Sequence, residues 1–252
     1  MAERLVGKTA LLTGATSGMG VDVARQFIAE GARIVFCGRS VAPGEELARS
    51  LGDQARFIRA DVTSEADIAM LVEKAREHLG GKIDFLFNNA APPTRDTPVT
   101  DLSVTEMDTA FAAIFRSVAL MTKHVVPVMK ANGGGSILNN GSTAAHRANS
   151  SPSIYSAMKA AVCHFTRCMA LELGEHGIRV NTVEPGFAPG SKVNPLSDAY
   201  VAKMARGIPL QRTSGPGDAP EAVLFLCSDQ AGFVTGATLS VDGGNSISEE
   251  RA

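Results

Sequence analysis

The chain has 252 residues, a length that suits one large α/β domain or two small ones. Hydrophobic residues make up 44% and charged residues 20%, and the net charge of -2 gives no field that would favour nucleic acid or an anionic membrane. No run reaches the roughly 20 apolar residues of a membrane span, and residues 1–8 lack the apolar stretch of a signal peptide. The four cysteines, Cys37, Cys163, Cys168 and Cys227, form no Cys-x-x-Cys, so the expectation is reduced thiols in a cytoplasmic protein.

In chain order, runs with strand character are Thr9–Leu12, Arg33–Cys37, Arg56–Ala60, Ile83–Phe87, Ser136–Asn139, Arg179–Val183 and Thr238–Val241. Most are continuously apolar or β-branched at their centres, which predicts strands buried on both faces of a parallel sheet. Helical patterns lie between them at 18–30, 43–51, 65–79, 104–130, 153–175 and 218–228. Strand–helix alternation along residues 1–252 predicts a single doubly wound α/β domain with helices on both faces. Pro185–Ser214 breaks the rhythm with Pro185, Gly186, Pro189, Gly190, Pro195 and Pro209 around a short helical piece near Asp198–Arg206. An excursion after a late strand is a candidate substrate lid, at about 186–214. Its bulkier members, Phe187, Leu196, Tyr200 and Met204, point to a mostly apolar substrate such as a cyclic or aromatic ketone.

The first strand runs into Thr13-Gly14-Ala15-Thr16-Ser17-Gly18-Met19-Gly20 and then a helix. Glycines there let the backbone turn tightly against a pyrophosphate, and the helix N-terminus offers unpaired N–H groups to it. The spacing is Gly-x-x-x-Gly-x-Gly rather than Gly-x-Gly-x-x-Gly. The second strand ends in Phe36-Cys37-Gly38-Arg39-Ser40, with no acid to bind the ribose hydroxyls of NAD. Arg39 instead suits a 2′-phosphate, so NADP(H) is the expected cofactor and NAD(H) the second choice. Asp61 and Val62 end the third strand, where they would flank an adenine; Asn88, Asn89, Ala90 and Ala91 follow the fourth.

Tyr155 and Lys159 are one turn apart on the helix 153–175. A neighbouring cation favours phenolate, and lowering a phenol by ~2–3 units takes ~3–4 kcal/mol. Ser142, after the fifth strand, would donate to the same substrate oxygen as Tyr155, a pair of donors aimed at developing negative charge. No Gly-x-Ser-x-Gly surrounds it, so a hydrolase elbow has no support. Among His78, His124, His146, His164 and His176 no pair has the i, i+4 spacing of a zinc hydrolase, and no metal is expected. His146, between Ser142 and Tyr155, is placed to touch substrate or solvent.

Together these motifs resemble the short-chain dehydrogenase/reductase family nearly end to end. The matching pieces are Thr13-Gly14-x-x-x-Gly18-x-Gly20, Asp61-Val62, Asn88-Asn89-Ala90, Ser142, Tyr155-x-x-x-Lys159, Asn181-Thr182-Val183-Glu184-Pro185-Gly186 and Val241-Asp242-Gly243-Gly244. The resemblance implies a Rossmann-type, seven-stranded parallel sheet in a homotetramer or homodimer. It implies Tyr155 as proton donor or acceptor, Lys159 on the nicotinamide ribose, Ser142 on the substrate oxygen, and Pro185-Gly186 in the cofactor site. Three positions depart from the family pattern: Ile114 stands where Asn is usual, Ala91 where Gly is frequent, and Gly190, followed by Ser191, where Thr often meets the nicotinamide. The resulting expectation is a carbonyl reductase or alcohol dehydrogenase. Ile114 feeds a rival reading, a cofactor-binding regulator or assembly subunit that has lost catalysis. A third reading keeps the scaffold for double-bond reduction or dehydration.

Overall fold

Successive residues of a strand face opposite ways, so a strand buried on both sides feeds two separate cores. Strand β1 (Thr9–Thr13) does this: Ala10 and Leu12 enter one hydrophobic cluster and Leu11 the other. The same alternation recurs in β2 (Arg33–Gly38), with Ile34 and Phe36 opposite Val35 and Cys37, and in β4 (Phe85–Asn88), with Phe85 and Phe87 opposite Leu86. Each such Leu, Ile or Phe contributes ~1.5–3 kcal/mol by leaving water. With β3 (Ala55–Arg59), β5 (Gly135–Asn140), β6 (Ile178–Pro185) and β7 (Thr238–Val241), these strands form one seven-stranded sheet in the order β3-β2-β1-β4-β5-β6-β7, parallel at every pairing. This is a computed structural model, and it describes residues 3–91, 97–148, 152–189 and 196–248.

Helices cover both faces. On one, α1 (Met19–Ala29), α2 (Val41–Leu51) and α8 (Asp218–Cys227) bury Phe27, Leu47 and Leu224. On the other, α3 (Glu65–His78), α5 (Ser117–Ala131) and α6 (Ser153–Leu173) bury Leu71, Val125 and Leu173. Strand order reverses between β1 and β4, where the chain turns from winding toward β3 to winding toward β7. The carboxyl ends of strands at such a switch form the crevice in which open α/β sheets bind ligands.

The helix expected at 104–130 is present but not uniform. It comprises α4 (Val104–Ala110), a π-helical turn at Phe111–Arg116, and then α5. Ser117 Oγ donates back to the Ala113 carbonyl at 2.8 Å within the turn, an interaction no hydrophobic pattern announces. The 28-residue run Val104–Ala131 contains an 18-residue stretch with a mean hydropathy of 1.3, and is long and apolar enough to cross a membrane by composition. Met121, Val125 and Met129 nonetheless pack in the core beside Leu71 and Ile137, so its apolar side belongs to the fold. In the excursion after β6, α7 (Asp198–Gly207) falls where the sequence predicts a short helix. Its aromatic Tyr200 meets Phe187 edge-on, with ring centroids 6.0 Å apart. Arg212 grips Asp218 at the root of α8, holding that carboxyl down at about 2, with the Gly215 backbone N–H adding a bond of 2.7 Å. Gly190 and Ser191 lie outside the described residues.

Candidate active site

The turn after β1 is built so that no side chain separates it from the turn after β4. Gly14 has φ of 64°, and a Cβ there would lie 2.6 Å from the Ala90 Cα. A Cβ on Gly20 would meet the Gly14 carbonyl oxygen at 2.5 Å. The two turns are also bonded together: Asn89 Nδ2 donates to the Gly14 carbonyl at 3.0 Å, and the Asn89 and Ala90 amides donate to Thr13 Oγ1 at 3.0 and 3.1 Å. Gly18 opens α1 without a side-chain cap, leaving the first N–H groups of an 11-residue helix to an incoming anion.

These turns border a cleft of ≈ 560 Å³. Of the residues expected to bind cofactor, Gly14, Thr16, Ser17, Met19, Arg39, Asp61, Val62, Asn89 and Ala90 line it together. Gly18 and Gly20 shape the loop beneath. Gly186 lines a second groove, with Phe187 and Ser240, rather than this cleft. A Cβ on Gly186 would lie 2.6 Å from the Asp242 Cα, so its smallness serves the approach of β6 to the turn after β7. Asp61 is the one carboxylate among the described residues that line the first cleft. The Thr63 backbone amide, at 2.9 Å, holds it below the usual range, and the charges of Arg39 and Arg59 add to that. Arg39 itself is exposed at the cleft's edge.

Ser142, Tyr155 and Lys159 converge as the sequence predicts. Ser142 follows β5, and its oxygen accepts from the Ala144 amide at 3.2 Å. Its hydroxyl also hydrogen-bonds the Tyr155 hydroxyl. Lys159 is only 3% exposed; its Nζ donates to the Asn140 carbonyl at 2.6 Å and lies 5.7 Å from the centre of the Tyr155 ring. Here the electrostatics differ from the expected depressed phenol. Burial raises Tyr155, the bond from Ser142 opposes it only in part, and the lysine's charge is not among the causes. Burial also pushes the Lys159 amine down to about 8, so the ammonium is itself a weakened source of positive potential in the protein alone.

Unfolded lysine titrates near 10.4, so between about 8 and about 10.4 the unfolded chain holds a proton that the native site has released. The site therefore costs stability below about 8 and costs progressively less as pH rises through that window. Without cofactor, the stability of wild type relative to Lys159→Met is expected to improve by ~2–3 kcal/mol from pH 8 to 10.4. A difference that stays flat with pH would mean the amine is solvated.

The sequence draws attention to Asn88-Asn89 but not to Asn139 and Asn140. Asn140 lines the cleft, bonds Asn89 Oδ1 at 3.0 Å through Nδ2, and keeps its own Oδ1 buried with no protein partner. Asn139 Nδ2 donates to Thr166 Oγ1 at 2.9 Å, and Asn88 Nδ2 to Asn139 Oδ1 at 2.9 Å, tying β4, β5 and α6 together beneath Ser142. The doubled Asn-Asn at the ends of both β4 and β5 is the signal that could have drawn attention to them. Ile114 is 2% exposed in the middle of the π turn. It sits with Val118 and Val162 in a small apolar cluster against which Tyr155 and Met158 pack. His146 is not simply solvated: its Nε2 lies 2.8 Å from Oε1 of Glu184, a carboxylate with no exposed side-chain surface.

A protein-family model described as Enoyl-(Acyl carrier protein) reductase matches residues 14–246. The chain is 38% identical over 248 residues to cis-4-hydroxycyclohexanecarboxylate dehydrogenase of Sinomonas cyclohexanicum, covering 97% of this chain and 98% of that protein. It is 36% identical to 7alpha-hydroxysteroid dehydrogenase of Escherichia coli K12, over 96% of this chain and 95% of that one. A crystal structure of 3-ketoacyl-(acyl-carrier-protein) reductase from Brucella melitensis, complexed with NADH, superposes with a TM-score of 0.90 at 38% identity, covering 96% of this chain and all of that one. Likeness of this extent, over a sheet of this order, makes the chain a dehydrogenase/reductase of the short-chain dehydrogenase/reductase family.

Proposed function

We propose that this protein is an NADP(H)-preferring oxidoreductase that interconverts a ketone and a secondary alcohol, with Tyr155 as general acid and base. The observation that carries this is the meeting of the Tyr155 and Ser142 hydroxyls beside a buried Lys159, at the same sheet edge as the glycine-lined cleft. Support for a dinucleotide comes from the uncapped N-terminus of α1, the glycines a Cβ would block, and the buried, unpartnered Asn140 Oδ1. Gly14, Thr16, Ser17 and Met19 would hold the pyrophosphate side, Asp61 and Val62 the adenine, and Arg39 a 2′-phosphate. Asn89, Ala90, Lys159 and the Pro185-Gly186 segment would hold the nicotinamide side. When bound, the cofactor supplies or accepts the hydride at the substrate carbon.

The chain's own residues do the rest. In reduction Tyr155 gives its proton to the carbonyl oxygen while Ser142 donates a hydrogen bond to the same atom; in oxidation Tyr155 takes the proton back. Lys159 faces the Tyr155 ring and would lower the phenol once a second positive group joins it in the site. Ile114 offers no hydrogen bond, so the proton reaches Tyr155 by way of Lys159 and bulk water rather than through a side chain at 114. Positioned hydroxyl donors favour carbonyl chemistry over double-bond reduction. Two relatives whose names specify ring alcohols, together with Phe187 and Tyr200 in the excursion, support a cyclic substrate. Turnover of NADPH with a panel of cyclic and aromatic ketones tests the reading, and a protein that binds NADPH yet reduces no member would count against it.

Assembly as a homodimer or homotetramer is part of the same proposal. Val104 on α4, Phe111 in the turn between α4 and α5, and Leu171 on α6 are exposed, Val104 and Leu171 at 68% and 88%. Exposed apolar residues on neighbouring helices are best explained by a second subunit. Light scattering at micromolar concentration is expected to give two or four chains, and a monomer would contradict this.

A further inference from the structure

Glu184 has no exposed side-chain surface, and among the described residues no lysine or arginine pairs with it. Instead two metal-ligating side chains converge on one of its oxygens. His146 Nε2 lies 2.8 Å from Oε1, and Cys163 Sγ donates to the same oxygen at 3.2 Å. Oε2 accepts from Ser240 Oγ at 3.1 Å, which fixes the plane of the carboxylate. The three donor atoms lie within 4.8 Å of one another. A thiol is a weak hydrogen-bond donor and a poor partner for a buried carboxylate, but as a thiolate it is a strong ligand.

The three residues come from separate elements: His146 from the turn after Ser142, Cys163 from α6 one turn beyond Lys159, and Glu184 from the end of β6. That separation is why no ligand spacing shows in the sequence. We propose that His146, Cys163 and Glu184 bind one borderline-soft divalent cation of the zinc class, with water in the fourth position. Zinc bonds of about 2.0–2.3 Å at tetrahedral angles put N and O about 3.3 Å apart and S and O about 3.6 Å apart. From the present 2.8 and 3.2 Å, both separations need to open by about half an ångström or less. His146 is half-exposed, so a cation has a way in and a water has a place to bind. Binding replaces the thiol proton, and any proton on the imidazole, which pass to solvent. The bound cation clamps the turn carrying Ser142 to the helix carrying Tyr155 and Lys159, so it stiffens the catalytic edge without touching the reacting atoms. The site does not depend on the proposed reaction.

The test is a cobalt titration of the metal-free, reduced, full-length protein. It is run on a Cys168→Ser background, because His164 and Cys168 are both exposed, one turn apart on α6, and would chelate on their own. The expected result is a thiolate-to-cobalt charge-transfer band with tetrahedral d–d bands, saturating at a single equivalent and abolished by zinc. Zinc at a hundredfold excess over Kd is expected to raise Tm by about 5 °C. Cys163→Ser should lose the charge-transfer band, and His146→Ala should weaken cobalt binding at least ~10-fold. Absence of the band in the parent protein overturns the proposal, as does a band that survives Cys163→Ser. If Cys163→Ser does not fold, the loop variant His146→Ala decides, and unchanged cobalt affinity in it overturns the proposal equally.

Discussion

Tyr155→Phe is expected to lower kcat by ~100- to 10,000-fold, the range that a positioned general acid supplies. The variant removes one oxygen and almost no volume, and the ring still packs against Ile114 and Met158 in the small apolar cluster. Affinity for NADPH should therefore change by less than about threefold, since an exchange that leaves shape and cofactor contacts in place removes little binding. The split between kcat and cofactor affinity separates a chemical role from a structural one. A Tyr155→Phe variant with full turnover would mean that the proton comes from elsewhere.

Arg39→Ala carries the second large effect. Arg39 stands at the rim of the cleft, and among the described residues no carboxylate within 4.0 Å holds it in an ion pair. Its nearest acidic influence is Asp61, whose carboxyl it helps to keep charged without a direct bond. A hydrogen bond to a doubly charged 2′-phosphate is worth ~1.5–3 kcal/mol, so wild type is expected to prefer NADPH over NADH by ~10–150-fold in Kd. Arg39→Ala should erase most of that preference by weakening NADPH and leaving NADH nearly untouched. Equal affinity for the two cofactors in wild type would refute the assignment. Asp61 makes the measurement informative, because a carboxylate in the same cleft repels a phosphate that Arg39 does not neutralise.

The sheet was legible because its strands are buried on both faces and read as unbroken apolar runs such as Ala10-Leu11-Leu12 and Ile34-Val35-Phe36-Cys37. Strand β4 begins two residues later than its apolar run. Ile83 is buried without joining the ladder, and Asp84 turns its carboxylate to the Thr9 amide at 2.8 Å. Hydropathy reports burial at Ile83 correctly and says nothing of pairing. The convergence of Ser142, Tyr155 and Lys159 was legible because their spacing fits one helix face and one strand end. The raised Tyr155 and lowered Lys159 were not, since both follow from how deeply α6 sinks against β5. The π turn leaves no mark in the sequence for a related reason: a widened turn changes backbone bonding without changing the apolar pattern of Phe111, Ala113 and Ile114. The joining of His146, Cys163 and Glu184 depends on three elements meeting, which a linear pattern does not encode.

The rival reading, a protein that binds cofactor without chemistry, rested on Ile114. That side chain lies against Tyr155 as apolar wall and displaces none of Ser142, Tyr155 and Lys159 from their mutual contacts. The measurement that tests the account most directly is transfer of label from NADPH deuterated at the nicotinamide C4 to a cyclic ketone, read by mass spectrometry of the product. The account predicts a secondary alcohol with one deuterium on the former carbonyl carbon, formed by wild type and suppressed at least ~100-fold in Tyr155→Phe. Bound NADPH with no deuterated alcohol from any ketone, or label transferred equally well by Tyr155→Phe, would contradict it.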